Sequence, residues 1–142
     1  MNAQMITRTR QEEESPLRLI KSELKVLNIQ YNRALNIISA IGWSTSQDTW
    51  VKYLQILADI ESHLLQRDEL NIYLKLNMIN TSSTKYIFKI IKKLNQAYSQ
   101  GKKVRLFWSC NTEHDCEMID TGLDLRGLSH FPFEINYAGK KY

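Results

Sequence analysis

The chain has 142 residues, of which 43% are hydrophobic and 24% charged, a balance typical of one globular domain. Its formal net charge is +4, but the lysines form scattered pairs and no dense basic stripe, which argues against nucleic-acid binding. No apolar run approaches the roughly 20 residues of a membrane-spanning helix, and no secretory signal follows Met1. We therefore expect a soluble cytoplasmic protein without membrane insertion, with Cys110 and Cys116 as free thiols.

The N-terminal part of the chain is predicted to be a tail followed by a β-hairpin. Residues 1–16 are polar, so we expect a flexible tail before a single domain over residues 17–142. Two segments of strand character follow, Leu24–Tyr31 and Leu35–Ile41. Asn32 lies in the turn between them, because asparagine tolerates the left-handed conformation.

A helix is predicted after the hairpin, which Gly42 is expected to end. Ser44 and Gln47 match the capping box S-x-x-Q, with Ser44 as the N-cap. His63 lies beside the apolar stripe of this helix, so we expect it at the surface or at the boundary of the core. The stripe itself consists of Trp50, Tyr53, Leu54, Leu57, Ile60, Leu64 and Leu65.

The central segment is predicted to run from a strand through a polar elbow into a second helix. Alternation with period two predicts one buried strand face, made of Leu70, Ile72, Leu74, Leu76 and Met78. The period then becomes helical, with apolar residues at Ile87, Ile90, Ile91, Leu94 and Tyr98. Gly101 is expected to end this helix. The elbow between strand and helix is Asn80–Thr84, which places its hydroxyl groups at a helix N-terminus.

Three further elements are predicted: a short buried strand, a third helix and a closing strand, over residues 104–108, 113–123 and 133–137. Thr112 is the expected cap of the third helix, and Gly122 and Gly127 are expected to loosen the segment after it. Pro132 predicts that the closing strand lies at a sheet edge. The order ββαβαβαβ indicates an α/β domain with about three helices and a mixed sheet, whose parallel pairs arise from right-handed crossovers.

Known catalytic and phosphate-binding motifs are missing from the sequence. The five glycines form neither GxGxxG nor GxxxxGK[ST], and no G-x-S-x-G occurs. The segment from His114 to Asp124 is rich in potential metal ligands, but its spacing matches no known ligand set. We therefore expect no cofactor, no metal and no catalytic residue. A small enzyme or metal-binding protein that uses this segment is the alternative from another class.

The elbow supports two interpretations. One Asn, Ser or Thr is enough to cap a helix, yet this elbow supplies a run of four hydroxyl residues after Asn80. A phosphate here would meet backbone N–H groups and the positive end of the helix, with Lys85 one turn further on. It would add a charge of roughly −2 to the surface that a partner contacts. The residues thus predict a cap or a phosphorylation switch, without choosing among Thr81, Ser82 and Ser83.

Four features occur in order between Leu70 and Tyr137. They are N-T-S-S at the elbow, a glycine-ended helix before a strand that contains Trp108, the segment Glu117–Asp124, and the segment Phe131–Glu134. In this order they resemble the SiaC-like family of regulatory phosphoproteins, which has a similar elbow, an acidic-M-x-x-x-G-x-D segment and a closing P-F-E. The resemblance implies a fold like that of the STAS anti-sigma-factor antagonists.

The resemblance also implies a function. In the family, the threonine of N-T-S-S is the phosphorylated residue, which corresponds to Thr81 here. A serine/threonine kinase of the anti-sigma-factor type and a PPM-type phosphatase are the implied partners. The unphosphorylated form binds a signalling target, in the best-known case a diguanylate cyclase whose c-di-GMP output promotes biofilm formation. An anti-sigma-factor antagonist that controls a sigma factor is the alternative within this class.

Two segments depart from the family's pattern. Its serine-tyrosine-proline-glutamate-asparagine elbow before the first helix is replaced by Trp43–Asp48, and its acidic run after the tryptophan by Asn111–Cys116. We expect both segments to face the partner, so the resemblance transfers the switch residue better than the partner's identity. The elbow residues Asn80 to Ser83 and Lys85 are the candidate binding residues. Candidate residues of a further partner surface are Trp43, Gln47, Asp48, Glu117, Asp120 and Asp124.

Overall fold

The computed structural model describes residues 26–45, 49–111, 116–137 and 140–141. The predicted order ββαβαβαβ is confirmed, and a two-residue strand follows it. The predicted tail over residues 1–16 lies outside the described residues. The elements are β1 (Leu27–Asn32), β2 (Ile37–Ser44), α1 (Thr49–Gln66), β3 (Glu69–Ile79), α2 (Thr81–Ser99), β4 (Lys103–Cys110), α3 (Cys116–Leu128), β5 (Phe133–Tyr137) and β6 (Lys140–Lys141).

The described strands form one mixed sheet in the order β1-β2-β3-β4-β5-β6. The four strands from β2 to β5 are parallel neighbours, and β1 and β6 pair antiparallel at the two ends. The predicted edge position of the closing strand is wrong, because β6 pairs with the outer side of β5. Pro132 precedes β5, so its missing N–H removes no hydrogen bond from the strand itself.

The core lies between the helices and one face of the sheet. Alternation along β3 buries Leu70, Ile72, Leu74 and Leu76, whereas Tyr73 and Lys75 on the opposite face are exposed. Met78 is predicted to be buried but is 46% exposed. The reason is a register shift opposite Gly42 and Trp43, which places Trp43 beside Met78 and interrupts the alternation.

The hairpin is found where it was predicted, but its special residues differ. Asn36 takes the left-handed conformation with φ 58°, whereas Asn32 accepts a hydrogen bond from Leu35 N through its side chain at 3.1 Å. Gly42 does not end the hairpin. It lies inside β2 with φ 130°, where a Cβ would collide with the carbonyl oxygen of Val26.

His63 is completely buried, so its predicted surface position is wrong. Its Nε2 lies 2.9 Å from the Glu69 carbonyl oxygen and 3.1 Å from Asn36 Oδ1. Both partners are acceptors, so Nε2 carries the proton, and Nδ1 accepts from the Tyr31 hydroxyl at 2.6 Å. This network joins α1 to the hairpin and to the start of β3. Helical periodicity could not reveal it, because the side-chain partners are 27 and 32 residues away in sequence.

Two predicted helices differ from the observed ones in detail. In α1, Trp50, Leu54 and Leu65 of the predicted stripe are exposed, and Ile56 is buried instead. Helix α3 begins at Cys116 and continues to Leu128, so both predicted loosening glycines lie inside it. Thr112, its predicted cap, lies outside the described residues. Within the described part of the chain, no helix is long and apolar enough to cross a membrane.

Candidate functional site at the start of helix α2

Helix α2 begins directly after β3, at the carboxyl end of the parallel strands, where open α/β sheets bind their ligands. Asn80 has an extended backbone, and its Oδ1 accepts a hydrogen bond from Ser83 N at 2.8 Å. Its Nδ2 donates to the Thr45 carbonyl oxygen at 3.2 Å. Asn80 is therefore the N-cap of α2, which confirms the cap interpretation of the elbow.

The structure separates the four hydroxyl groups of the elbow into two pairs. Ser83 is buried, and its Oγ donates to the Ser44 carbonyl oxygen at 2.9 Å. Thr84 Oγ1 donates back to the Asn80 carbonyl oxygen at 3.0 Å. Thr81 and Ser82 are exposed, and neither hydroxyl has a hydrogen-bond partner among the described residues. Only this second pair is accessible without breaking a hydrogen bond of the described structure.

Thr81 and Ser82 border different grooves. The groove of Thr81 lies between α2 and α3 and includes Phe88, Glu117 and Thr121. The groove of Ser82 faces α1 and includes Thr45, Trp50 and Tyr86. Lys85 borders both grooves. A charge added at Thr81 or at Ser82 would therefore change two different surfaces.

Ser44 supports this site from the end of β2. Its carbonyl oxygen accepts from Asn80 N at 3.3 Å as well as from the Ser83 hydroxyl. Its own hydroxyl lies 2.5 Å from the hydroxyl of Tyr53 in α1. The predicted role of Ser44 as N-cap of the first helix is therefore wrong, since α1 begins at Thr49. Ser44 instead holds the start of α2 against β2.

The remaining candidates that the structure describes lie on α3 and near the end of β2. Glu117 is exposed in the first turn of α3 and shares a groove with Thr81. Asp120 and Asp124 are exposed on α3 but do not border that groove, and Trp43 is half-buried near the end of β2. Gln47 and Asp48 lie outside the described residues. The structure thus brings Thr81, Lys85 and Glu117 together.

A family model described as SiaC family regulatory phosphoprotein matches residues 20–138. The chain belongs to the SiaC family. The predicted family resemblance is thereby confirmed. No curated protein sequence matches the chain significantly.

Solved structures resemble this SiaC family protein in fold. A chain of the crystal structure of the diguanylate cyclase SiaD in complex with its activator SiaC from Pseudomonas aeruginosa superposes with a TM-score of 0.74 at 24% identity, covering 80% of this chain and 93% of that chain. Apo-SiaC from Pseudomonas aeruginosa superposes with a TM-score of 0.71 at 24% identity, covering 79% of this chain and 91% of that chain. A further structure of SiaC of Pseudomonas aeruginosa superposes with a TM-score of 0.71 at 25% identity, covering 80% of this chain and 91% of that chain.

Two aromatic residues at the grooves of this SiaC family protein were missed by the sequence interpretation. Phe88 is 44% exposed and borders the groove of Thr81, and Trp50 is 48% exposed and borders the groove of Ser82. Phe88 falls off the apolar period of α2, which is a usable signal for an exposed aromatic residue. Trp50 fitted the predicted stripe of α1 and gave no such signal.

The segment from His114 to Asp124, which is rich in potential metal ligands, forms no metal site in the described part of this SiaC family protein. No group of three or more His, Cys, Asp or Glu side chains is close enough there to hold a metal ion. His114 and Asp115 lie outside the described residues. Cys110 is buried.

Tyr53 lies beneath the site, and its ionisation lowers the folding stability at alkaline pH. Burial raises its pKa to about 12, against the opposing effect of its hydrogen bond with Ser44. An unfolded tyrosine titrates near pH 10, so the unfolded state loses its proton first. The stability linked to this difference is complete below about pH 10 and is lost as the pH rises through about 12, by up to about 2.7 kcal/mol.

We therefore expect wild type to lose about 1 kcal/mol relative to Tyr53→Phe between pH 10 and pH 11. Urea unfolding of both proteins across this range measures the difference, and the subtraction removes the titration of lysines and other tyrosines. A difference that stays constant with pH would contradict the expectation.

Proposed function

We propose that this SiaC family protein is a non-enzymatic partner switch controlled by phosphorylation of Thr81. The observation that carries the proposal is the position of the Thr81 hydroxyl. It is exposed at the first residue of α2, without a hydrogen-bond partner in the described chain, and it shares a groove with Lys85. The positive end of the helix and the lysine charge both favour a phosphate at this position.

Modification of Thr81 would leave the structural part of the elbow untouched. The cap uses the Asn80 side chain, and the contact with β2 uses the Ser83 hydroxyl. Neither group would be displaced by a phosphate on Thr81. Ser82 is equally exposed, and the family's pattern, in which the threonine of N-T-S-S carries the phosphate, favours Thr81 over it.

The target that we propose for the unphosphorylated form is a diguanylate cyclase, so that the switch acts on c-di-GMP signalling and biofilm formation. The similar SiaC chain of Pseudomonas aeruginosa is described as the activator of the diguanylate cyclase SiaD. The Thr81 groove combines the apolar side chains of Ile79 and Phe88 with one lysine and one glutamate. Such a mixed apolar and polar surface suits a protein partner.

Phosphorylation would oppose this contact. A phosphate adds a charge of about −1.5 to −2, and a partner that covers the groove has to remove its hydration. A cytoplasmic serine/threonine kinase of the anti-sigma-factor type would add the phosphate, and a PPM-type phosphatase would remove it. Phosphorylation thus releases the cyclase in this proposal.

The phosphorylation step is tested with a serine/threonine kinase of the anti-sigma-factor type from the same organism. Wild type, Thr81→Ala and Ser82→Ala are incubated with that kinase and ATP, and the phosphate is mapped by mass spectrometry. We expect one phosphate on Thr81 in wild type and in Ser82→Ala, and none on the elbow in Thr81→Ala. A phosphate on Ser82, or an unmodified elbow, would overturn the assignment.

A further inference from the structure

The groove that contains Thr81 carries two opposite charges from two helices. Lys85 comes from α2 and Glu117 from the first turn of α3, and these are the ionisable side chains among the described residues that border it. Their formal charges cancel while Thr81 is unmodified. A phosphate on Thr81 would bring the groove to about −2.

The backbone of Glu117 is held in place beside the groove. Met118, the next residue, is buried, and its carbonyl oxygen accepts a hydrogen bond from the indole nitrogen of Trp108 at 2.9 Å. Ile119 is buried as well. The Glu117 carbonyl oxygen accepts from Thr121 Oγ1 at 2.9 Å. The first turn of α3 therefore cannot retreat from a phosphate without losing these contacts.

The Lys85 ammonium group is not directed at Thr81 alone. Its Nζ lies 5.3 Å from the ring centroid of Tyr86, which borders the other groove. Lys89, one turn further along α2, also lies 5.3 Å from the same ring. Part of the attraction that Lys85 could offer to a phosphate is therefore directed toward the groove of Ser82.

We propose that Glu117 is the residue that makes the Thr81 groove sensitive to phosphorylation, because its carboxylate opposes the phosphate. This inference rests on the proposed phosphorylation of Thr81 and adds the group that converts the modification into a strongly negative surface. With an uncharged residue at position 117, Lys85 would offset part of the phosphate charge. The groove would then carry about −1, and a partner would discriminate less between the two forms.

The second ionisation of the phosphate reports this opposition directly. A phosphate exchanges between one and two negative charges near pH 6. A neighbouring carboxylate disfavours the second charge, whereas a neighbouring ammonium group favours it. Lys85 on α2 and Glu117 on α3 are the ionisable side chains among the described residues that border the groove of the phosphate. Lys89 lies one turn beyond Lys85, against the ring of Tyr86. Asp120 and Asp124 lie elsewhere on the exposed surface of α3.

The experiment uses full-length protein with phosphothreonine encoded genetically at position 81, so no kinase is needed. Phosphorus NMR follows the phosphate from about pH 4.5 to pH 8 in four proteins: the wild-type background, Glu117→Gln, Lys85→Gln and the matched control Asp124→Asn. We expect Glu117→Gln to lower the phosphate pKa by about 0.3–0.7 and Lys85→Gln to raise it similarly. Asp124→Asn is expected to leave it unchanged, and added salt should shrink both shifts.

A change below about 0.1 in Glu117→Gln, or an equal change in Asp124→Asn, would overturn the inference. Glutamine has nearly the shape of glutamate, and far-UV circular dichroism verifies that each variant is folded. If the kinase fails to modify Thr81, the proposed function fails, but the NMR result on the encoded phosphothreonine still decides the role of Glu117. The two failures are therefore distinguishable.

Discussion

Phosphorylation of Thr81 is expected to weaken binding to the proposed target, a diguanylate cyclase, about 100-fold or more, which corresponds to about 2.7 kcal/mol. A partner covering the groove would bury a doubly charged phosphate beside Glu117, where Lys85 is the single lysine that borders the groove among the described residues. A buried charge without sufficient compensation costs several kcal/mol. Calorimetric titration of the cyclase with both forms of the protein measures the loss.

Three substitutions separate this charge effect from a loss of structure. Thr81→Glu adds one negative charge at the same place and is expected to weaken binding about 10-fold. Thr81→Val keeps the shape of the side chain without its hydroxyl. It should bind the cyclase like wild type, and incubation with the kinase should not change this binding. Ser82→Glu adds the same charge one residue further on, in the groove that contains Trp50. It is the matched control and should bind more tightly than Thr81→Glu.

Equal binding by Thr81→Glu and wild type would remove Thr81 as the control point. A loss in Ser82→Glu as large as that in Thr81→Glu would show that the partner covers both grooves. If an anti-sigma factor binds instead of the cyclase, and its binding depends on Thr81 in the same way, the switch proposal stands but its target is the anti-sigma factor.

Replacing Gly122 by alanine is expected to destabilise the protein by about 2–4 kcal/mol. A Cβ on Gly122 would lie 2.6 Å from Cδ1 and 2.7 Å from Nε1 of the Trp108 indole. Trp108 is buried, and its N–H donates to the Met118 carbonyl oxygen at 2.9 Å. Overpacking costs about 1–3 kcal/mol and a lost buried hydrogen bond about as much again, while the better helix propensity of alanine offsets about 1 kcal/mol.

Gly127 provides the matched control in the same helix. A Cβ there meets nothing within 4 Å, so Gly127→Ala should stabilise the protein by up to about 1 kcal/mol. Urea unfolding of the two variants measures the contrast. Trp108→Leu replaces the indole by a smaller side chain. In that background, Gly122→Ala should cost much less folding stability, which a double-mutant cycle detects. Equal stability of both glycine variants would contradict the close packing of α3 on β4.

The sequence was most informative where a local pattern coincides with an element. Period-two alternation located β3, and the change to helical period located α2. Asn80 is a capping residue type at the junction between the two, so the elbow was predictable from the chain alone. The same reasoning failed for Ser44 and Met78. Both lie where pairing between β2 and β3, not local pattern, determines the environment.

His63 illustrates the second limit of sequence interpretation. A lone histidine beside an apolar stripe suggests an ordinary boundary position, yet its three partners come from the hairpin and from β3. Asn36 contributes its side chain to this network while its backbone makes the turn at φ 58°. No spacing rule connects these residues, because only the folded sheet brings them together.

The sequence by itself determined the order of the elements, the polar elbow and, through a family pattern, the preference for Thr81. Each of these depends on residues that are close along the chain, where periodicity and motif are readable. The tertiary structure decided which hydroxyl groups are accessible and which charges face them. It buried Ser83 against β2, left Thr81 exposed and placed Glu117 of α3 beside it. These outcomes depend on contacts between separate elements, which packing of the helices on the sheet creates.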